Sequence, residues 1–227
     1  VLFLKKLFSF MPKSLEGIRT ILIYPVAGVL LIGLIMLLIN PFVSAINTGL
    51  NNFLSSMSEV NKVILGAILA GMMSVDLGGP VNKAAYTFGT GMLAEGHYEI
   101  MAAVMIGGMV APLAIALLAT FFPKKLPKKE RQAGLLNYVM GLSFISEGAI
   151  PFASADPLRV LVSCVIGSAV SGALSMAFNC TLMAPHGGIF VLPLIGNWAW
   201  YVVALAAGSF VAMGIMAAWK KNVWEEK

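Results

Sequence analysis

Residues 20–39 form an apolar stretch without a charged side chain, and this feature constrains the fold more than any other. At about 1.5 Å per residue, a helix of this length matches the roughly 30 Å hydrocarbon core of a bilayer. Further uncharged stretches of comparable length occupy residues 100–122, 160–178 and 202–218. The sequence therefore predicts an all-α, polytopic integral membrane protein with several transmembrane helices.

Composition excludes an ordinary soluble domain and a nucleic-acid-binding protein. Of the 227 residues, 59% are hydrophobic and 11% are charged, against roughly 25% charged in soluble domains. The net charge is +5, but the basic residues flank apolar stretches, which indicates membrane orientation. We expect membrane lipid around the chain and no nucleic acid as a partner. Because Cys164 and Cys180 lack CxxC spacing, we also expect no disulfide framework, metal or cofactor.

Three other apolar segments are interrupted by polar residues, glycine and proline. Residues 63–75 are too few to span a bilayer and run into the polar, glycine-containing residues 76–83. Residues 133–146 stop at Glu147, and residues 184–188 read Ala-Pro-His-Gly-Gly. Irregular backbone at membrane depth is tolerated only where protein or a watery cavity satisfies its polar groups. The breaks therefore predict re-entrant hairpins around a shared interior site.

The distribution of lysine and arginine predicts the orientation. They cluster in residues 5–19, 124–131 and 220–221, whereas residues 40–61 contain none. By the positive-inside rule, we place the basic loop 123–131 and the C-terminus in the cytoplasm and residues 40–61 outside. The first broken segment should then enter from the outside, the Glu147 segment from the inside, and the His186 segment from the outside.

Glu147 is the most informative single residue, because Asp156 and Arg159 are the only other charged residues between positions 132 and 219. A charge at membrane depth costs roughly 2.5–3.5 kcal/mol on insertion scales and usually marks a functional site. We interpret Glu147 as a ligand-binding residue; the alternative is a cap on a half-helix or a loop tip in water. Asp156 precedes Pro157, which predicts a helix start with Asp156 as its N-cap, and Arg159 should lie near the surface.

The remaining candidates leave two interpretations open. His186, between a proline and two glycines, is suited to hydrogen-bond a ligand or to serve as a structural histidine in a turn. Lys83 could hold an anion beside Gly78 and Gly79, since glycines let backbone N–H groups approach one. The same glycines could equally serve tight packing.

Three sequence runs carry a family resemblance: residues 76–86 (DLGGPVNKAAY), residues 146–152 (SEGAIPF) followed by Asp156 and Pro157, and residues 184–188. Together they resemble the enzyme IIC (EIIC) domain of bacterial fructose-specific phosphotransferase-system permeases, within the glucose-type superfamily. The resemblance implies a multi-pass homodimer in the bacterial inner membrane, with a scaffold part and a transport part.

On this resemblance, residues 1–60 would be the end of the scaffold part and residues 61–227 the transport part with re-entrant hairpins. Such domains are longer than this chain, so we expect the first helices to be absent from it.

The resemblance also implies vectorial sugar transport. Fructose or a related hexose would bind from outside and be presented inward to a phosphocysteine on enzyme IIB (EIIB), which upstream phosphotransferase-system proteins phosphorylate. Glu147 matches the sugar-binding glutamate motif; it would accept hydrogen bonds from the sugar and take the proton of the attacking hydroxyl as the catalytic base. Asn82, Lys83 and His186 would complete the lining beside Gly78 and Gly79.

The chain would thus be one part of a sugar phosphotransferase, without a phosphodonor residue of its own. Several relatives have a histidine in the earlier site loop, where this chain has Asn82 and Lys83. An ion-coupled secondary sugar transporter is the alternative, because it too would use re-entrant hairpins and a buried carboxylate. A non-transporting membrane subunit is a third interpretation, for which three broken segments would be unnecessary.

Overall fold

The computed structural model describes Pro12 and residues 16–55 and 59–223 of the chain. Almost all of these residues are helical, and four helices among them are long and apolar enough to cross a bilayer. The prediction of an all-α polytopic membrane protein is therefore confirmed. The chain divides into two compact units, Val1–Ser56 and Met57–Lys227.

The first unit is dominated by one long helix. It contains the helical turn Glu16–Ile18, the π-helix Arg19–Ile23 and helix α1, Tyr24–Ser55. The span predicted at residues 20–39 lies within this helical stretch. The helix does not end there, however, but continues through residues 40–55 with Pro41 inside it. A proline removes a single backbone hydrogen bond, and the polar residues that follow do not include a strong helix stop.

The second unit holds the remaining helices and a short strand pair. Its α-helices are α2 (Glu59–Val75), α3 (Pro80–Ala94), α4 (Tyr98–Phe121), α5 (Lys128–Leu142), α6 (Ile150–Ala155), α7 (Pro157–Ala177) and α8 (Trp198–Trp219). Short 3₁₀-helices lie at Pro123–Lys125, Ser146–Ala149 and Gly188–Leu194. Strands β1 (Thr181–Leu182) and β2 (Ile195–Gly196) pair antiparallel.

Helix α4 forms the core of this unit and is buried along almost its whole length. Small residues allow the neighbouring helices to approach it closely. A Cβ added to Gly107 would lie 2.5 Å from the Cα of Ala70 on α2. The Ser168 hydroxyl of α7 donates to the Gly107 carbonyl at 2.9 Å. Helices α2 and α7 thus both pack closely on α4.

Contacts near the helix termini define the two ends of the unit. The Val223 N–H donates to the Lys124 carbonyl at 2.8 Å, and Lys220 Nζ lies 3.0 Å from Asp156 Oδ2. The last residues of α4 and α8 and the first of α7 therefore share one end, here called the basic end. At the opposite, aromatic end, the rings of Phe178 and Trp200 lie 4.8 Å apart.

Asp156 has a different role from the one predicted. Helix α7 begins at Pro157, as the sequence suggests, but the Asp156 side chain makes no capping hydrogen bond. Asp156 is thus the N-cap residue of α7, as predicted, but its side chain does not cap the helix, because the carboxylate instead accepts from Arg159 at 3.2 Å and from Lys220 at 3.0 Å. Partial burial raises its pKa, but the hydrogen bonds from Lys220 and Arg159 outweigh burial and hold the pKa below the ordinary value.

Helices α2 and α3 form the first hairpin, which opens toward the aromatic end. Helix α2 runs antiparallel to α7, since Gly66 lies against Gly172 whereas Gly71 lies against Val165. After the turn at residues 76–79, α3 runs back and joins the start of α4. The short apolar segment is thus one arm of a helical hairpin, whereas its entry into the membrane from the outside stays a prediction.

Helices α5 and α6 form the second hairpin, which opens toward the basic end. Helix α5 runs antiparallel to α4, because Gly134 packs against Ala119 and Gly141 packs against Leu113. The chain turns at residues 143–149, and α6 leads back to the start of α7. The two hairpins therefore approach each other from opposite ends of the unit.

Candidate functional site

The tips of the two hairpins meet beside the middle of α4. A Cβ on Gly108 would lie 2.5 Å from the Phe144 ring of the second hairpin and 3.1 Å from Met73 Cε of the first. Both side chains thus fit only because α4 has no side chain at this position. The predicted shared interior site corresponds to this meeting point.

The tip of the first hairpin is organised by Asp76. Its carboxylate accepts hydrogen bonds from the N–H groups of Val81 at 2.7 Å and Asn82 at 2.9 Å, at the start of α3. A Cβ on Gly79 would lie 2.6 Å from the same carboxylate. The positive end of this helix dipole is therefore already compensated by Asp76, and Gly79 provides the room for it.

The tip of the second hairpin carries Glu147, whose carboxylate faces the first hairpin. Glu147 Oε1 lies 3.8 Å from Lys83 Nζ, and the two side chains are 47% and 60% exposed, respectively. A Cβ on Gly78 would lie 2.7 Å from the same oxygen. Gly78 has a φ of +107°, which favours glycine. The carboxylate thus sits against bare backbone, with an ammonium group beside it.

Asn82 links the two tips from a buried position. The residue is 2% exposed, and its amide nitrogen donates to the Met73 carbonyl at 2.7 Å and approaches the Ser146 hydroxyl at 3.5 Å. The first bond is short and the second is at the limit of a hydrogen bond. Asn82 therefore mainly fixes the wall of the site.

The loop between β1 and β2 supplies a third wall. Gly187 and Gly188 both have positive φ values, +129° and +57°. Gly188 lies directly against the Leu142 carbonyl at the end of α5, and its N–H points to Met105 Sδ at 3.1 Å. This close backbone approach requires glycine and brings His186 to the site.

These three segments enclose a cavity of about 280 Å³, close to the lower bound of the roughly 300–1,000 Å³ common for small-molecule pockets. Its described lining residues are Met73, Asn82, Lys83, Tyr86, Phe144, Ile145, Ser146, Glu147 and His186. The His186 ring lies 5.0 Å from the Phe144 ring and 6.4 Å from the Tyr86 ring, centroid to centroid. The cavity thus combines a polar side with an aromatic side.

The structure brings the predicted site residues together. Those that line the cavity are Glu147, Lys83, Asn82 and His186. Gly78 abuts the Glu147 carboxylate and Gly79 abuts Asp76, so both lie in the tip of the first hairpin. Residues that are distant in sequence therefore converge, although their roles in binding stay predictions.

Sequence analysis missed the aromatic side of the cavity. No pattern in the sequence singles out Phe144 or Met73, since phenylalanine and methionine in an apolar chain are by default core or lipid-facing residues. Tyr86 could have been found, since it lies three residues after Lys83 on α3 and thus on the same helix face. Ser146 adjoins Glu147 directly. Phe144 gave no such signal, because its placement depends on a left-handed backbone, with φ of +61°.

No group of acidic, histidine or cysteine side chains suited to a metal ion occurs among the residues that the structure describes. Cys164 and Cys180 are both buried, and neither contributes to the described lining of the cavity. The described lining of the cavity provides a carboxylate, an ammonium, an amide, a hydroxyl and aromatic groups.

Several known proteins are similar in sequence to this chain. The fructose permease IIC component of Bacillus amyloliquefaciens is 49% identical over 228 residues, an alignment that covers 100% of this chain and 74% of that protein. The PTS system fructose-specific EIIABC component of Bacillus subtilis (strain 168) is 46% identical over 227 residues, which is 100% of this chain and 36% of that protein.

The PTS system fructose-specific EIIB'BC component of Escherichia coli (strain K12) is 48% identical over 220 residues, covering 93% of this chain and 38% of that protein. The chain thus spans little more than a third of the multidomain relatives. No solved structure matches the chain. The family model for the phosphotransferase system, EIIC, matches residues 2–168. The chain therefore belongs to the phosphotransferase system EIIC family.

Proposed function

We propose that this chain is the sugar-translocating part of a phosphotransferase-system permease, which binds fructose or a related hexose at the meeting point of the two hairpins. One observation carries the proposal: the Glu147 carboxylate lies in a cavity where hairpins from opposite ends of the unit meet, 3.8 Å from Lys83. Family membership and the fructose-specific names of the relatives support this substrate class.

The cavity offers the groups that a hexose requires. An ionised carboxylate accepts several hydrogen bonds from hydroxyl groups, and an ammonium donates up to three. The apolar faces of a sugar ring pack well on aromatic side chains, which Tyr86, Phe144 and His186 provide. We therefore expect the polar edge of the sugar to face Glu147 and Lys83.

The proposed reaction is transfer of a phosphoryl group from a phosphocysteine of EIIB to a sugar hydroxyl. Glu147 takes the hydroxyl proton as the oxygen attacks phosphorus, and the cysteine sulfur leaves as a thiolate. The sugar phosphate is charged and does not return through lipid. Because Cys164 and Cys180 are buried, the phosphocysteine comes from the partner; relatives named EIIABC and EIIB'BC support EIIB in this role.

The same proposal covers orientation and assembly. The basic end, where Lys124 and Lys220 lie, would face the cytoplasm and receive EIIB, in agreement with the positive-inside rule. Residues 1–60 would belong to the scaffold part of a homodimer within the lipid bilayer, and residues 61–227 would form the transport part.

Transport in liposomes tests the proposal against an ion-coupled carrier. Liposomes with the full-length permease would be loaded with EIIB and its phosphodonor chain, and labelled fructose would be added outside. We expect the lumen to gain sugar phosphate and no concentrated free fructose. In matched liposomes with only an imposed ion gradient, worth about 2.3 kcal/mol per charge per 100 mV, we expect no accumulation. Gradient-driven accumulation of unmodified fructose would contradict the proposal.

A further inference from the structure

We propose that Lys83 is a catalytic residue for phosphoryl transfer: it exchanges its ion pair with Glu147 for an ion pair with the phosphoryl group as that group arrives on the sugar. This inference rests on the proposed function and adds a role to it. Lys83 would thus stabilise the charge of the phosphoryl group during transfer, in addition to helping bind the sugar.

Lys83 supplies the positive charge at this site. The N-terminus of α3 would otherwise attract an anion, but the Asp76 carboxylate already accepts from the N–H groups of Val81 and Asn82. Among the described residues that line the cavity, Lys83 is the only lysine or arginine. A neutral hexose does not need a full positive charge for binding. A phosphoryl group in transfer does, because charge on its oxygens must be stabilised.

The ion pair between Lys83 and Glu147 is loose enough to be exchanged. Its separation of 3.8 Å exceeds the roughly 2.7–2.9 Å of a charge-assisted hydrogen bond. The Lys83 side chain is 60% exposed, and its ammonium makes no hydrogen bond to any residue that the structure describes. Its three N–H donors are therefore available to a group that enters the cavity.

Charge conservation in the reaction explains the exchange. As the sugar oxygen bonds to phosphorus, its O–H bond breaks and the proton moves to Glu147, while the P–S bond breaks and its electron pair leaves with the cysteine sulfur. Glu147 thus becomes neutral in the same step in which the sugar acquires the phosphoryl charge. Lys83 loses one anionic partner and gains another within a few ångströms, so its charge stays compensated throughout.

Single-turnover kinetics of the full-length permease with phosphorylated EIIB test this role. For Lys83→Met we expect a fall of about 10²–10³ in the rate of phosphoryl transfer, the usual effect of removing one group that stabilises transition-state charge. Fructose affinity should fall by about tenfold or less, because water in this half-exposed part of the cavity can replace the hydrogen bond that the ammonium donates to the sugar. Lys83→Arg keeps the charge and should transfer faster than Lys83→Met by at least roughly tenfold.

Product binding gives a second readout that a purely structural role would not change. The sugar phosphate formed by the wild type should compete with fructose about tenfold to a hundredfold less well in Lys83→Met, since one hydrogen bond to a charged group is lost. Lys62→Met, which removes a lysine outside the cavity, is the matched control and should behave as the wild type.

Two results would overturn the inference: an equal loss of fructose binding and of transfer in Lys83→Met, which indicates a sugar ligand only, or an unchanged transfer rate. If the wild type itself binds fructose but receives no phosphoryl group from EIIB, the proposed function fails first, and the inference fails with it.

Discussion

Replacement of Gly78 by alanine tests whether the first hairpin positions the Glu147 carboxylate. Gly78 has a φ of +107°, and an L-residue with a side chain pays about 1–2 kcal/mol in such left-handed backbone. The new Cβ would also lie 2.7 Å from Glu147 Oε1, well inside van der Waals contact. The carboxylate must therefore move away. If it loses one hydrogen bond to the sugar, worth about 1.5–3 kcal/mol for a charged group, affinity should fall roughly tenfold to a hundredfold.

Fructose binding by equilibrium dialysis and thermal unfolding in detergent would measure the two effects separately. Gly91→Ala is the matched control on the same hairpin, because a Cβ there meets no atom within 4 Å. It should leave binding unchanged and raise stability by about 0.5–1 kcal/mol, as for glycine to alanine in a helix interior. If Gly78→Ala binds fructose with wild-type affinity, the absence of a side chain at position 78 does not determine where the Glu147 carboxylate lies, and the reasoning is refuted.

Three further predictions concern Glu147, the orientation in the membrane and Asp156. Glu147→Gln keeps the shape but loses the charge, so fructose binding should disappear with membrane insertion intact; normal uptake would show a purely structural role. Single cysteines would replace Glu95 or Lys129 in a background without the native cysteines. A cysteine at position 95 should react with an impermeant thiol reagent from outside and one at position 129 from inside. Labelling of both from one side would contradict the orientation. The pKa of Asp156 is lower in the folded protein than its ordinary value of about 3.8. Its ion pairs therefore stabilise the fold at pH values above 3.8. This contribution is lost as the pH falls through the folded pKa. Asp156→Asn should therefore cost about 1 kcal/mol or less near neutral pH and nothing at pH values below the folded pKa, measured by thermal unfolding; an equal deficit at both pH values would exclude ion pairing as the cause.

Sequence alone predicts the spans because hydrophobic length is a local property. The stretch 100–122 corresponds to α4 and the stretch 160–178 to α7, each within a few residues. The continuation of α1 through Pro41 was missed, because polar residues after an apolar run usually indicate the membrane surface. Nothing local distinguishes a helix that leaves the bilayer from one that stops there.

The site is only partly predictable for a related reason. Glu147 and Lys83 could be selected individually, since charges in apolar segments are costly. A shared site for the broken segments was predicted, but the pairing of Glu147 with Lys83 at 3.8 Å was not, because it results from two hairpins of independent sequence that pack on α4. Asp156 illustrates the opposite error: its local context with Pro157 predicts a cap, but Lys220 lies beside it only in the folded chain.

The burial of α4 has a consequence for how the chain matures in the membrane. This helix is apolar enough to enter a bilayer on its own, yet protein covers it on every side, so its lipid contacts must be temporary. We therefore expect it to insert as a lipid-exposed segment and to exchange lipid for neighbouring helices later, in the manner of two-stage membrane folding. A bilayer-soluble carbene probe should accordingly label Val203 and Phe210 of α8, which are 49% and 48% exposed, and should reach α4 only during biosynthesis.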